Sequence, residues 1–272
     1  MKTNLWVIAE KEWRDGWRNR WLLSVTVVFA IIALGITWFG ASVQGQQGLV
    51  TLDATLASLS SLTVIVIPLI ALLIGFDAFV GEQEQGTLLL LMTYPVSRIG
   101  WVLGKFLGQC LILACAVLVG FGGPFIFLAW QQPAADLLPA IGIFLSSAVL
   151  LGAVFVALAH SVSLLVSEKA RAAGLALLAW FFLTLLYDLA LLAILVRSAG
   201  WMNPLALKVA LLANPTDLFR IINLLTLESN GAGVLASLSQ MQFGLLPLYA
   251  LLAGWTALLL GVSTLLLKRK RL

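Results

Sequence analysis

Residues able to do chemistry are sparse in this 272-residue chain, and their densest group lies at 82–98: Glu-Gln-Glu-Gln-Gly-Thr-Leu-Leu-Leu-Leu-Met-Thr-Tyr-Pro-Val-Ser-Arg. Glu82 and Glu84 place two carboxylates in a short polar segment between two long apolar runs. Gly86 and Thr87 permit a turn, and Leu88 to Met92 offer an apolar face. Pro95 keeps a helix from running on through Tyr94, and Ser97 can cap a helix starting at Arg98. Acids beside an apolar strip suit docking into a basic groove of a partner; the alternative is an ordinary loop whose leucines lie against headgroups.

Catalytic constellations are nearly absent. His160 is the single histidine, so a paired-histidine zinc site cannot form, and a capped or water-facing histidine is the expectation. Neither a GxSxG elbow nor a GxxxxGK[ST] phosphate loop occurs; Gly104-Lys105 is followed by Phe106. Cys110 and Cys115 fall on different faces of one apolar run and read as packed thiols. Asp77 and Asp188 interrupt apolar segments, where a carboxylate marks function by default. A Tyr187-Asp188 plus Gly75-Phe76-Asp77 pair resembles intramembrane aspartyl proteases only faintly, since a glycine is missing and the order is reversed. For Tyr187 and Asp188 two roles are open: lining a translocation path, or bonding to a neighbouring helix. No metal-ligand set is expected.

The elements that must position these residues follow from composition. At 61% hydrophobic and 10% charged, the chain is far from a soluble domain, which carries about 25% charged residues. About 20 apolar residues cross a bilayer, and six stretches qualify, near 22–40, 60–81, 101–128, 139–165, 172–196 and 244–267. Thirteen of the sixteen Lys and Arg fall at the N-terminus, the C-terminus, around 98–105 and at 169–171. Only Arg197, Lys208 and Arg220 fall in the other connections, so both termini are placed in the cytoplasm. The basic pI reports this asymmetry and gives no indication of nucleic acid binding. A charged segment precedes the first apolar run, which reads as a retained anchor.

Residues 1–21 read as an amphipathic interfacial helix. Trp6, Trp13 and Trp17 share a stripe, and Lys11, Arg14 and Arg18 face elsewhere, toward an anionic lipid surface; Gly16 is expected to weaken or bend it. Gly100, Gly104 and Gly108 open the third span with GxxxG spacing, and Gly120, Gly122, Gly123 and Pro124 are expected to break or bend its far end. The last external connection, 197–243, carries two helix starts: Asn203-Pro204, and Asn214-Pro215 followed by Asp217. Its short helices would line an exit path, grip an outside partner through Asn214, Asp217 and Arg220, or pack on the bilayer surface.

The order interfacial helix, span, span, Glu-x-Glu-x-Gly-Thr-Leu, Pro-Val-Ser-Arg, Gly-Lys resembles the ABC-2 class of ABC transporter permeases. The matching residues are Glu82, Glu84, Gly86, Thr87, Leu88, Pro95, Val96, Ser97, Arg98, Gly104 and Lys105. The resemblance covers the whole chain as one membrane domain, 1–272. It implies an all-α integral membrane protein of the type V exporter-like kind, a homodimer, and a coupling helix at 82–98 seated in a cytoplasmic ABC ATPase subunit. ATP and Mg would then be bound by that subunit and no cofactor by this chain. More narrowly the chain resembles permeases that work with a periplasmic β-helix protein in assembling the copper centre of nitrous oxide reductase. Two readings from other classes stand beside it: an ion-coupled carrier protonated at Asp77 or Asp188, and a membrane scaffold that moves nothing.

Overall fold

The structure, a computed structural model, describes residues 3–18, 20–43, 52–88, 97–130, 134–198, 204–227 and 244–270, and among them all regular structure is helical. Helix α1 spans Thr3–Arg18 and α2 Arg20–Val43. Helix α3 (Leu52–Gly75) is followed after a short break by α4 (Val80–Glu84). Two long helices come next, α5 (Arg98–Ala129) and α6 (Ala134–Leu165). Then α7 (Lys169–Phe181) passes through a π-helical turn at Phe182–Leu186 into α8 (Tyr187–Ser198). The short helices α9 (Pro204–Ala213) and α10 (Pro215–Leu227) precede the last one, α11 (Leu245–Arg269).

Among the described residues five stretches are long and apolar enough to cross a membrane, or six if α1 and α2, set at 70° to each other, are counted together as one span. Apolar residues run around most of each span because lipid surrounds it, so packing between helices, rather than escape from water, selects their arrangement. The centre is an edge-to-face phenylalanine ladder. Phe29 of α2 meets Phe121 of α5 at 4.9 Å, Phe121 meets Phe144 of α6 at 4.9 Å, and Phe144 meets Phe219 of α10 at 6.0 Å. Each such contact contributes about 0.5–1.5 kcal/mol beyond the area it buries.

At neither of two glycine points where a break or bend is expected is the helix interrupted. Helix α5 runs unbroken through Pro124 to Ala129. Gly120 and Gly123 instead admit α2: a Cβ there would lie 2.2 Å from the Phe29 ring and 2.7 Å from Leu34. Gly16 does not interrupt α1, and a Cβ on it would strike Ile112 of α5 at 2.3 Å. The GxxxG partner is likewise within the chain: Gly104 faces Ile8, and Gly108 faces Ala9 and Glu12. Helix α1 is thus seated backbone-close on the first half of α5.

Helix α1, α4, the starts of α5 and α7 and the end of α11 gather at one end of the bundle, called here the basic end. Within the 197–243 connection, the described helix α10 does not stand clear of the opposite end. Helix α10 inserts Leu218, Phe219 and Ile222, all fully buried, among α3, α6 and α11.

Candidate functional site

The densest polar construction surrounds α4, the five-residue helix at the head of the 82–98 segment. Phe79 at its N-cap has no capping side chain, so its first amides need acceptors from elsewhere. Ser163 of α6 supplies them: its hydroxyl oxygen accepts from the Phe79 and Val80 amides, each at 3.0 Å. Gly86 follows with φ +70°, a conformation glycine adopts without Cβ strain, which turns the chain away at the C-terminus. Thr87 donates to the Glu82 carbonyl, and Leu88 is buried.

Glu82 points inward. Its carboxylate lies 2.7 Å from the ammonium of Lys105 on α5, which is also 2.8 Å from Glu12 on α1. The Lys105 side chain is 3% exposed and each acid 12%. Lys11, half exposed, stands 3.6 Å from both acids and completes a neutral four-group cluster. Burial pushes the Glu12 carboxyl up, but the ammonium of Lys105, aided by Lys11 and the Gln109 amide, outweighs it and holds Glu12 below its ordinary value. Gln109 extends the network, donating to Glu12 at 3.2 Å while its carbonyl oxygen lies 2.8 Å from His160 Nε2. His160 is fully buried, ringed by Phe79 and Phe106, so the single histidine is a structural member of this cluster.

Other side chains complete the clamp. Asp77 pairs with the Lys169 ammonium, and Glu84 accepts from the Lys169 amide at the start of α7, where a carboxylate suits the positive helix end. Ser97 caps α5 by accepting from the Gly100 amide at 3.0 Å. Arg98 donates to the Lys268 carbonyl at 2.9 Å, binding the open C-terminal end of α11. Between α1, α3, α4 and α5 opens a cavity of about 540 Å³, walled by Lys11, Asp15, Asp77, Gln85 and Lys169.

The opposite end holds a second cluster. Asn214 caps α10 by accepting from the Thr216 amide at 3.1 Å and donates to the Leu183 carbonyl at 2.9 Å, within the π-helical turn. Tyr187 donates to the Ala210 carbonyl at 2.6 Å, and Arg220 pairs with Asp188 and, at 3.2 Å, with Asp217. Burial, then the Asp188 carboxylate, raise Asp217 to about 6 against the pull of Arg220.

These placements revise several expectations. Glu82 does not present itself to an outside groove, because Lys105 and Lys11 hold it inside; Glu84 is the exposed acid of the pair. Asn214 and Asp217 are buried as cap and counter-ion rather than standing free for a partner, and only Arg220 of the three is part-exposed. Tyr187 and Asp188 bind the α9–α10 hairpin, and Asp77 is an ion-paired group at the basic end rather than a lone carboxylate. Trp6 and Trp17 are exposed and Trp13 packs edge-on against Trp17 at 5.5 Å; Arg14 and Arg18 are exposed. Pro95, with the rest of 89–96, lies outside the described residues. Ser163, Gln109 and the role of Lys105 were not foreseen; Lys105, a cation well inside an apolar run, was the one visible signal. Among the described residues no group of three or more His, Cys, Asp or Glu could hold a metal ion.

Comparison with known proteins bears on the whole chain. Residues 6–272 match the family described as ABC-2 family transporter protein. The chain is 50% identical over 270 residues, 98% of each chain, to a Pseudomonas aeruginosa protein named probable ABC transporter permease protein NosY. A Stutzerimonas stutzeri protein of the same name is 48% identical over 267 residues, 96% of this chain and 95% of its own length. With a family match from residue 6 to residue 272, on a fold made of membrane-length helices, this chain belongs to the ABC-2 family of ABC transporter permeases.

Proposed function

We propose that the chain is the membrane subunit of an ABC machine that serves copper-centre assembly of nitrous oxide reductase. The observation that carries this reading is the end-to-end likeness to two proteins named NosY. The permease is itself non-catalytic; ATP would be hydrolysed, with Mg, by a separate NosF-like ATPase docked on the cytoplasmic face. The basic end is that face, in a bacterial inner membrane with both chain termini inside. Two copies would form the membrane unit, with the outward-facing Leu178, Phe181, Phe182 and Leu189 of the fifth span available to a second copy or to lipid. Docking would use the exposed Glu84 and the 85–94 segment, while Arg98 holds the start of α5 against α11. A periplasmic β-helix protein of the NosD kind would engage the opposite end around Arg220. The cargo would be a copper or sulfur species, or no cargo at all if the machine does mechanical work on the periplasmic partner.

The test is gentle extraction of a tagged chain from its native membrane, with quantitative mass spectrometry of what accompanies it. A cytoplasmic ATPase and a periplasmic protein at matched stoichiometry are expected. A chain that purifies alone and transports in vesicles without ATP would replace this reading by the ion-coupled carrier. A complex whose nitrous oxide reductase matures normally with an ATPase unable to hydrolyse ATP would leave only the scaffold.

A further inference from the structure

We propose that Lys105 is a positioning residue that locks α1 and α4 to α5, so that the three move as one block when the ATPase displaces the 82–98 segment. The inference rests on the ABC permease reading above. Two carboxylates, from α1 and α4, meet at one ammonium of α5 that water scarcely reaches, at 2.8 and 2.7 Å. An ammonium this little exposed gains little from water when parted from its carboxylates, although the neighbouring cavity is lined by Lys105, Glu12 and Glu82, so the cluster resists parting more than exposed pairs do. Its one other cation, Lys11, is half exposed and stands at 3.6 Å, too far to take over either acid without rearrangement.

The surroundings remove the compliance a single ion pair would keep. Gly104 and Gly108 flank Lys105 in sequence and bring α1 against α5 at backbone distance. Gln109 carries the connection on to His160 of α6, and Ser163 of α6 holds the first amides of α4. A push on α4 therefore reaches α1, α5 and α6 through direct contacts, with no flexible segment between them. Glu82 acts here through Lys105, as part of the transmission, and does not itself touch the ATPase.

The cluster is neutral and stays neutral if the charges of positions 82 and 105 are exchanged, which makes the proposal testable. Glu82→Lys, Lys105→Glu and the double variant are each purified with the ATPase and reconstituted in phospholipid vesicles. Each single variant is expected to lower kcat for ATP hydrolysis by on the order of tenfold, the scale of a lost positioning contact, with KM for ATP unchanged. The double variant should return to within about twofold of wild type, as the coupling in a double-mutant cycle requires. If the singles fail to fold, the double decides alone: recovery of folded, active complex supports the proposal and its absence overturns it. Singles that hydrolyse ATP normally overturn it, as does a double no better than the worse single, since a direct docking contact of Glu82 is not mended by moving its charge to position 105. Failure of the wild-type chain to bind any ATPase would instead sink the permease reading.

Discussion

Replacing Gly108 by alanine tests whether α1 is seated on α5 as described. The added Cβ would lie 2.6 Å from the Glu12 Cβ and 2.7 Å from the Ala9 carbonyl oxygen, where ordinary contact begins at 3.4 Å. Backbone cannot swing aside as a side chain can, so α1 must withdraw by about 0.8 Å, stretching the Lys105–Glu12 contact. Overpacking of this kind costs about 1–3 kcal/mol. For a chain of this size that corresponds to a melting temperature lower by roughly 3–10 °C. Intrinsic fluorescence is a suitable probe, because the chain holds ten tryptophans and two of them, Trp13 and Trp17, pack edge-on within α1 itself. Gly174→Ala is the control: nothing lies within 4 Å of a Cβ there, and the gain in helix propensity, up to about 1 kcal/mol, should leave the melting temperature unchanged or raised. A Gly108→Ala protein that melts at or above wild type would refute the packing of α1 on α5.

Ser163→Ala should leave the Phe79 and Val80 amides without their acceptor, costing about 1–3 kcal/mol, and speed hydrogen exchange at residues 79–80 while the centre of α5 stays protected. Arg98→Ala should free the α11 carbonyls, so that limited proteolysis of the C-terminal end accelerates relative to cleavage elsewhere. Asp188→Asn should leave ATP-dependent function within about twofold of wild type, because Arg220 keeps Asp217 and so exposed a pair contributes little; abolished transport that follows the proton gradient would favour the carrier. Asp217, raised in the fold to about 6 among Asp188, Arg220 and Tyr187, should add stability that is full below its unfolded value of 3.8 and is lost as pH rises through 6. Melting curves across that window should flatten in Asp217→Asn.

What could be read from the chain alone divides by sequence distance. Spans announced themselves because lipid demands long apolar runs, and charge asymmetry ordered them. Ser97 over Gly100, Asn214 over Thr216 and the turn at Gly86 are decided within a few residues, and all three are where local chemistry puts them. The clamp around α4 is different. Glu12 meets Lys105 across 93 positions, and Ser163 meets Phe79 across 84; no periodicity records such a pairing. Glu82 was aimed outward because acids flanking a span usually face water, and only the proximity of Lys105 and Lys11 makes the inward direction favourable. The π-helical turn left no trace either, since its register is set by Asn214 and Thr216 reaching the Leu183 carbonyl from another helix.

The grip of Arg98 on α11 bears on how the chain is made. Lys105 can find Glu12 as soon as the third span reaches the membrane, because Glu12 is already synthesised. The acceptors of Arg98 are 169 and 170 positions further on, so at about 5–20 residues per second the ribosome needs roughly 10–30 seconds more to supply them. Until then the segment that begins α5 is held on one side only. A nascent or truncated chain thus exposes an unmated guanidinium beside the 82–98 segment, and the final helix closes the structure like a seal. If an ATPase docks on that segment as proposed, pulse-labelled truncations lacking the last helix are expected to bind it less well than the full chain.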